Sequence, residues 1–155
     1  MKFNFTVEIG EMWIEVERGK IVGIGFGEVE EERGDKESIG MVMQAKKELD
    51  EYFEGKRQKF DLPIEFSGSE FQKKVWQVIR QIPYGQTMSY GEIAREINCK
   101  GGMRAVGQAC GRNPVGLMVP CHRVVRSNGM LGGYSGELWR KEFLLKLEKR
   151  ILSQE

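Results

Sequence analysis

The sequence is poor in the residues that build metal sites and disulfide frameworks. Among its 155 residues are one histidine and three cysteines, and no two cysteines have the CxxC spacing. Zinc sites usually combine several such ligands and disulfides join cysteines in pairs, so this composition indicates neither. The sequence also lacks an apolar run approaching the ~20 residues that cross a bilayer, and its first residues lack a signal-peptide pattern. We therefore expect an intracellular protein that does not associate with membranes.

Basic residues are scarce in the first part of the chain, and acidic residues are scarce in the rest. Residues 1–55 contain seven Lys and Arg against fourteen Asp and Glu, whereas residues 56–155 contain seventeen against nine. A formal net charge of only +1 conceals this asymmetry. A basic half suits a polyanion such as nucleic acid, because basic side chains that neutralise phosphates release condensed counterions. The alternative is solvated charge on ordinary helix faces.

The first 62 residues have the pattern of a small α+β domain. Alternating apolar residues from Phe3 to Ile9 predict a half-buried strand. Two further strands are predicted over residues 13–16 and 21–26, with a turn at residues 18–20. From about Ser38, helical spacing predicts a helix that ends at Gly55. Its apolar positions are Ile39, Met43, Ala45, Leu49, Tyr52 and Phe53.

Residues 63–155 have the pattern of a mainly helical domain. Ser69 with Gln72, and Ser89 with Glu92, have the spacing of capping boxes that begin two helices. A third short helix follows a glycine-containing turn and ends near Gly111, so the second and third helices form a candidate helix-turn-helix. Residues 117–120 are predicted to be a buried strand. The last helix is predicted to bury an apolar stripe of Trp139, Phe143, Leu144, Leu147 and Ile151.

Cys121 is directly followed by His122, which is the only histidine in the sequence. A thiol beside an imidazole suggests a nucleophile and its base, because the thiolate is the attacking form of cysteine. Successive side chains of an extended segment point to opposite faces, so a turn or a bridging water would have to connect the two. The alternative is a cysteine that merely packs in the core.

The motifs around Cys121 resemble those of the O6-alkylguanine-DNA alkyltransferase family. They are Asn113-Pro114-Val115, Pro120-Cys121-His122-Arg123, Gly132-Gly133-Tyr134-Ser135-Gly136 and then Glu148. The resemblance implies a ribonuclease H-like sheet-plus-helix domain over residues 1–62, followed by a helical domain over residues 63–155 with a winged-helix-like helix-turn-helix. It implies a protein that transfers the alkyl group of O6-alkylguanine, and less well of O4-alkylthymine, irreversibly to its own cysteine.

The resemblance also implies a role for particular residues. The catalytic residues are Cys121, His122 linked to it through water, Glu148 orienting His122, Tyr90 and Lys141. The substrate-binding residues are Asn113, Gly132, Tyr134, Ser135 and Gly136. Arg104 is the finger residue that fills the gap left by the flipped base. It lies at the start of a slim DNA-binding helix, together with Gly102, Met103 and Ala105. The expected partner is double-stranded DNA carrying O6-alkylguanine, bound by a monomer in a prokaryotic-type cytoplasm.

No cofactor or metal is expected. Some members of the family carry zinc in the N-terminal domain, but residues 1–55 contain neither cysteine nor histidine. Relatives that bind damaged DNA without repairing it lack a cysteine at the nucleophile position, so Cys121 favours a protein that transfers the alkyl group.

Several alternatives stay open at the level of the sequence. Glu148 and Lys141 could be surface residues of the last helix, and Tyr134 could cap the core. Arg123 is expected to form a buried or interdomain ion pair. For the whole chain, the alternatives are a DNA-binding regulator with a buried cysteine and a cysteine hydrolase that uses Cys121 and His122.

Overall fold

A computed structural model describes residues 1–134 and 136–154 of the chain. The chain divides into two compact units, Met1–Ser67 with Pro114–Gly116 and Gly68–Asn113 with Leu117–Glu155. The sequence predicts a boundary after residue 62, and backbone pairing explains why the first unit extends further. Ile21 donates to the Pro63 carbonyl at 2.9 Å, and Ile24 donates to the Pro114 carbonyl at 2.9 Å.

The first unit is an antiparallel sheet with one long helix. The strands, in the spatial order β1-β2-β3, are β1 Lys2–Val7, β2 Gly10–Glu17 and β3 Lys20–Phe26. Arg18 and Gly19 both have positive φ, which matches the right-handed twist of a two-residue hairpin and confirms the predicted turn. Helix α1 covers Lys36–Phe53, and the Asp35 side chain accepts a hydrogen bond from the Ser38 amide at its start.

The apolar face predicted for α1 is only partly correct. Val42, Ala45, Leu49, Tyr52 and Phe53 are buried, whereas Ile39 and Met43 are 43% and 67% exposed. The inward face therefore runs through Val42, Ala45 and Leu49, so Met43 lies one position away from it and Ile39 lies in the exposed first turn. The three strands and the helix otherwise confirm the predicted α+β organisation.

The second unit is mainly helical. Its elements are α2 Glu70–Arg80, β4 Met88–Ser89, α3 Tyr90–Glu96, α4 Met103–Gly111, a 3₁₀ turn at Cys121–Arg123, β5 Val124–Val125 and α5 Leu138–Ser153. Strands β4 and β5 form a short parallel pair. The capping box of Ser69 and Gln72 is present at α2, and Ser89 caps α3. Helices α3 and α4 confirm the helix-turn-helix, whereas the wing stays a prediction.

Two predictions in the second unit are wrong in detail. Residues 117–120 are buried but do not form a strand, because Leu117 has a φ of 67° that turns the chain. On α5, Trp139 is 48% exposed, and the fully buried positions are Lys141, Leu144, Leu147 and Glu148. The inward face of α5 is therefore rotated from the predicted apolar stripe and carries two ionisable side chains. Within residues 1–134 and 136–154, no helix is both long and apolar enough to span a membrane.

Candidate active site

Cys121 opens the 3₁₀ turn and lies at the wall of a pocket of about 650 Å³. The turn is closed by a hydrogen bond of 2.9 Å from the Arg123 amide to the Pro120 carbonyl. It replaces the extended geometry that would have separated Cys121 from His122 on opposite faces. The thiol is 7% exposed, and a pocket of this size fits a ligand as large as a nucleobase.

The sulfur of Cys121 is held by the side-chain amide of Asn113. The amide nitrogen Nδ2 of Asn113 donates to Sγ at 3.1 Å and to the Val119 carbonyl at 2.8 Å. A hydrogen bond that the Cys121 thiol donates to the Cys110 sulfur, together with burial, raises the pKa of Cys121 well above its usual value, while Asn113 and Lys141 act against that rise. The resting nucleophile is therefore a neutral thiol, which needs a base before it can attack.

His122 and Glu148 form a fully buried pair behind the nucleophile. His122 Nε2 and Glu148 Oε2 are 2.7 Å apart, and both side chains are completely shielded from solvent. Burial alone would raise the pKa of Glu148, but its hydrogen bonds with His122 and Arg123, together with their charges, lower it well below the usual range. Glu148 is therefore ionised and can only accept hydrogen bonds.

The tautomer of His122 follows from the charge of its partner. A carboxylate that only accepts requires the hydrogen on Nε2, which leaves a lone pair on Nδ1. Burial lowers the pKa of His122, despite the opposing hydrogen bond to Glu148, so the ring is neutral at rest. Nδ1 is buried and has no hydrogen-bond partner among the described residues. This nitrogen is the available base of the site.

Arg123 completes the ion pair on the far side of Glu148. Its Nε and Nη2 donate to the two carboxylate oxygens of Glu148 at 2.9 Å each, and its Nη1 donates to the Ile82 carbonyl at 2.8 Å. The Gly85 amide also donates to Glu148 at 3.0 Å. The predicted buried ion pair of Arg123 is confirmed, and the alternative of Glu148 as a surface acid is excluded.

Lys141 and Tyr90 lie close to each other beside the pocket. Lys141 is fully buried and donates to the Gly133 carbonyl at 3.0 Å, which excludes the alternative of a solvent-facing lysine. Its Nζ lies 5.9 Å from the centre of the Tyr90 ring. Burial lowers the pKa of Lys141 to about 8 and raises that of Tyr90. Tyr90 therefore keeps its hydroxyl hydrogen at neutral pH and can donate it.

The pocket wall combines glycines with aromatic rings. Gly132 has a φ of 72°, and a Cβ there would lie 2.8 Å from the Tyr90 hydroxyl, so this position requires glycine. Tyr134 lines the same pocket, and burial raises the pKa of its hydroxyl. The Gly136 carbonyl accepts a hydrogen bond from Arg140 at 2.8 Å, and Gly136 does not line the pocket. The predicted Ser135 lies outside the described residues.

The first turn of α4 borders the mouth of the pocket. Met103 and Arg104 are exposed and line the pocket, whereas Ala105 is half-buried and does not line it. Gly102 is buried, and a Cβ there would lie 2.9 Å from the Cys99 carbonyl. Packing within the turn therefore explains why Gly102 is small.

The structure brings together most of the predicted site residues and adds two that the sequence analysis did not assign. Cys110 and Arg126 line the pocket beside Cys121. Cys110 was placed on the third helix without a role, and its signal was the spacing Met103, Gly107, Cys110 on one helical face. Within residues 1–134 and 136–154, no group of three or more His, Cys, Asp or Glu side chains could hold a metal ion.

Comparison with known families gives two matches that together cover most of the chain. Residues 5–66 match the ribonuclease-like domain of 6-O-methylguanine DNA methyltransferase, and residues 70–150 match its DNA binding domain. The chain is 51% identical over 106 residues to a methylated-DNA--protein-cysteine methyltransferase of Mycolicibacterium paratuberculosis, an alignment that covers 68% of this chain and 64% of that protein. It is also 51% identical over 107 residues to the inducible form from Bacillus subtilis, with 69% and 60% covered. The chain thus spans less than two thirds of the length of these two relatives.

Two solved structures are similar over almost the whole chain. The first is the Mycobacterium tuberculosis OGT in complex with DNA, with a TM-score of 0.87 and 36% identity, covering 97% of this chain and 93% of that one. The second is an O6-methylguanine DNA methyltransferase from Methanococcus jannaschii, with a TM-score of 0.70 and 29% identity, covering 95% and 93%. Both similarities extend over the two units described above.

Proposed function

The chain belongs to the 6-O-methylguanine DNA methyltransferase family, and on that premise we propose that it repairs DNA by taking alkyl groups onto Cys121. The substrate is O6-alkylguanine, and less well O4-alkylthymine, flipped out of double-stranded DNA. One observation carries the proposal: a thiol at the wall of a nucleobase-sized pocket, next to a buried histidine with a free lone pair. Each molecule acts once, because a thioether leaves no route back to the thiol.

Deprotonation of Cys121 is the first proposed step. A water between Sγ and His122 Nδ1 passes the thiol proton to the imidazole, and Glu148 stabilises the imidazolium through the 2.7 Å contact at Nε2. Lys141 assists, because its nearby charge lowers the pKa of Cys121. The buried ion pair with Arg123 keeps Glu148 ionised throughout.

Alkyl transfer then follows by in-line displacement at the alkyl carbon. The sulfur–carbon bond forms while the bond from that carbon to guanine O6 breaks, and the electron pair of the broken bond moves to the purine. Tyr90 donates its hydroxyl hydrogen to the purine ring where negative charge develops, and Ser135 with nearby backbone amides contacts O6. Asn113 positions the sulfur, while Tyr134 packs against the base and Gly132 leaves room for it. Gly136 supports the substrate site from outside the pocket wall, where its carbonyl accepts from Arg140.

Entry of the base requires DNA deformation, because a stacked guanine cannot reach a thiol that is 7% exposed. We assign this work to the start of α4. Arg104 inserts into the stack to replace the flipped nucleotide, while the exposed Met103 and the half-buried Ala105 form the surface that approaches the groove. The buried Gly102 supports them by keeping the start of the helix slim. The basic composition of residues 56–155 supports binding to the phosphate backbone. The proposal includes action as a monomer on DNA in a prokaryotic-type cytoplasm, without a cofactor.

The proposal is tested by weighing the intact protein after incubation with a duplex containing O6-methylguanine. We expect the gain of one methyl group on the peptide containing Cys121, and no gain in Cys121→Ser. The matched control is Cys99→Ser, since Cys99 does not line the pocket and its loss should leave the transfer unchanged.

Two other outcomes would replace the proposal. An unmodified protein that binds the duplex would be a DNA-binding regulator. Turnover of an ester or peptide, with the protein returned unchanged, would identify a cysteine hydrolase.

A further inference from the structure

A second thiol lies in the pocket with Cys121, and none of the proposed steps uses it. Cys110 lies in the last turn of α4 and lines the same pocket. The two side chains are almost equally buried, at 8% and 7% exposure, and both are free thiols. Two cysteines that share one opening are exposed to the same small oxidants.

The backbone between the two cysteines holds them near each other through Asn113. The Asn113 amide donates to the Cys110 carbonyl at 3.2 Å, while the Asn113 side chain donates to the Cys121 sulfur at 3.1 Å. A single residue thus contacts both cysteines. The Cys110 thiol also lies within hydrogen-bonding reach of the Cys121 thiol. These contacts hold the two sulfurs on the same side of the pocket, as a disulfide between them requires.

We infer that Cys110 is a resolving thiol, which forms a reversible disulfide with Cys121 when hydrogen peroxide enters the pocket. The Cys121 thiolate attacks one peroxide oxygen, which gives a sulfenic acid and, with the thiol proton, one water. The Cys110 sulfur then attacks the Cys121 sulfur, and the second water leaves. Overall two S–H bonds are lost, one S–S bond forms, and peroxide is reduced to two waters. A dithiol reductant reverses the step.

The chemical benefit is protection of a residue that can be used only once. Without a neighbouring thiol, a sulfenic acid proceeds to sulfinic acid, which ordinary reductants do not restore. With Cys110 in place, oxidation stops at the disulfide and the acceptor can be recovered. This protective consequence rests on the proposed alkyl transfer, whereas formation of the disulfide does not.

The test is peptide mapping of the wild-type protein after treatment with hydrogen peroxide. Trypsin separates the two cysteines, because Cys110 falls in the peptide of residues 105–112 and Cys121 in that of residues 113–123. We expect these two peptides to be joined, with an intact mass lower by two hydrogen atoms. Protein first alkylated on Cys121 should show no joined peptide. A disulfide-linked peptide that contains residues 96–100, which carry Cys99, would overturn the inference. Oxidation of Cys121 to sulfinic acid without any disulfide-linked peptide would overturn it as well.

Variants provide the second measurement. After peroxide and then dithiothreitol, the wild type and Cys99→Ser should regain their starting methyl-acceptor capacity, whereas Cys110→Ser should not. Each variant is compared with its own untreated capacity, so an effect of Cys110→Ser on basal transfer does not matter. Equal recovery in Cys110→Ser would remove the resolving role. A protein that forms the disulfide but accepts no methyl group would refute the proposed repair function, and the inference about the disulfide would still hold.

Discussion

Each unit of the chain buries a glutamate, and the partners of the two carboxylates differ. Glu48 in the first unit accepts from the Gln44 side chain and the Asp61 amide at 3.1 Å each, and Arg57 lies 3.4 Å away. Glu148 in the second unit contacts a neutral histidine and a bidentate arginine. The partners of Glu48 fasten a loop to α1, whereas those of Glu148 include the base of the proposed reaction. Burial of an acid therefore does not indicate function until its titratable neighbour is known.

The largest expected effect separates these two glutamates. Glu148→Gln should slow methyl transfer roughly 100-fold, because His122 loses the charge that stabilises its protonated form. It should also cost about 3 kcal/mol of unfolding free energy, since Arg123 is left with an uncompensated buried charge. Single-turnover rates on an O6-methylguanine duplex and urea unfolding measure the two effects.

Glu48→Gln is the matched control in the first unit. It should cost about 1 kcal/mol of unfolding free energy through weakened hydrogen bonds, and should leave the transfer rate unchanged. Equal rate losses in Glu48→Gln and Glu148→Gln would show that both acids act only through stability. DNA affinity should be unaffected by either variant.

A smaller effect is expected at the exposed end of α4. Arg104→Ala should slow repair of duplex DNA roughly tenfold, because only the duplex requires extrusion of the base, which costs a few kcal/mol. Reaction with free O6-benzylguanine should keep its rate. Arg112, exposed just beyond the other end of α4, supplies the control, and Arg112→Ala should change neither rate. A similar loss on both substrates would remove Arg104 from the finger role.

The smallest effect concerns pH and the buried Lys141. Its pKa is lowered from 10.5 to about 8 in the folded protein, so the unfolded chain binds more protons between these values. Stability of the wild type relative to Lys141→Met should therefore rise from pH 8 to pH 10.5, and should be lowest below pH 8. Urea unfolding at half-unit intervals of pH measures this difference. A flat difference would mean that the amine is solvated in the folded state.

Local patterns were reliable where a short segment determines its own structure. Ser69 with Gln72 predicted the start of α2, and the turn at Arg18 and Gly19 followed from hairpin chemistry. The strand predicted for residues 117–120 failed because Leu117 has a positive φ, which a run of apolar residues gives no reason to expect outside glycine. Apolar composition could indicate that the segment is buried, but not how its backbone turns.

The inward face of α5 could not be predicted from hydrophobicity. Lys141 and Glu148 are buried because Gly133, His122 and Arg123 meet them there, and these partners are distant in sequence. The resemblance to a known family supplied the role of Glu148, which periodicity alone would have assigned to the surface. Cys110 was missed because its proximity to Cys121 depends on the rotation of α4 and on the contacts of Asn113.

The contact between His122 and Glu148 joins residues that are 26 positions apart in the chain. During synthesis from the N-terminus, the thiol leaves the ribosome well before the acid that orients its base. In the proposed mechanism, a nascent chain therefore carries a cysteine whose proton relay is not yet assembled. A chain synthesised only as far as the start of α5 should then not be alkylated at Cys121.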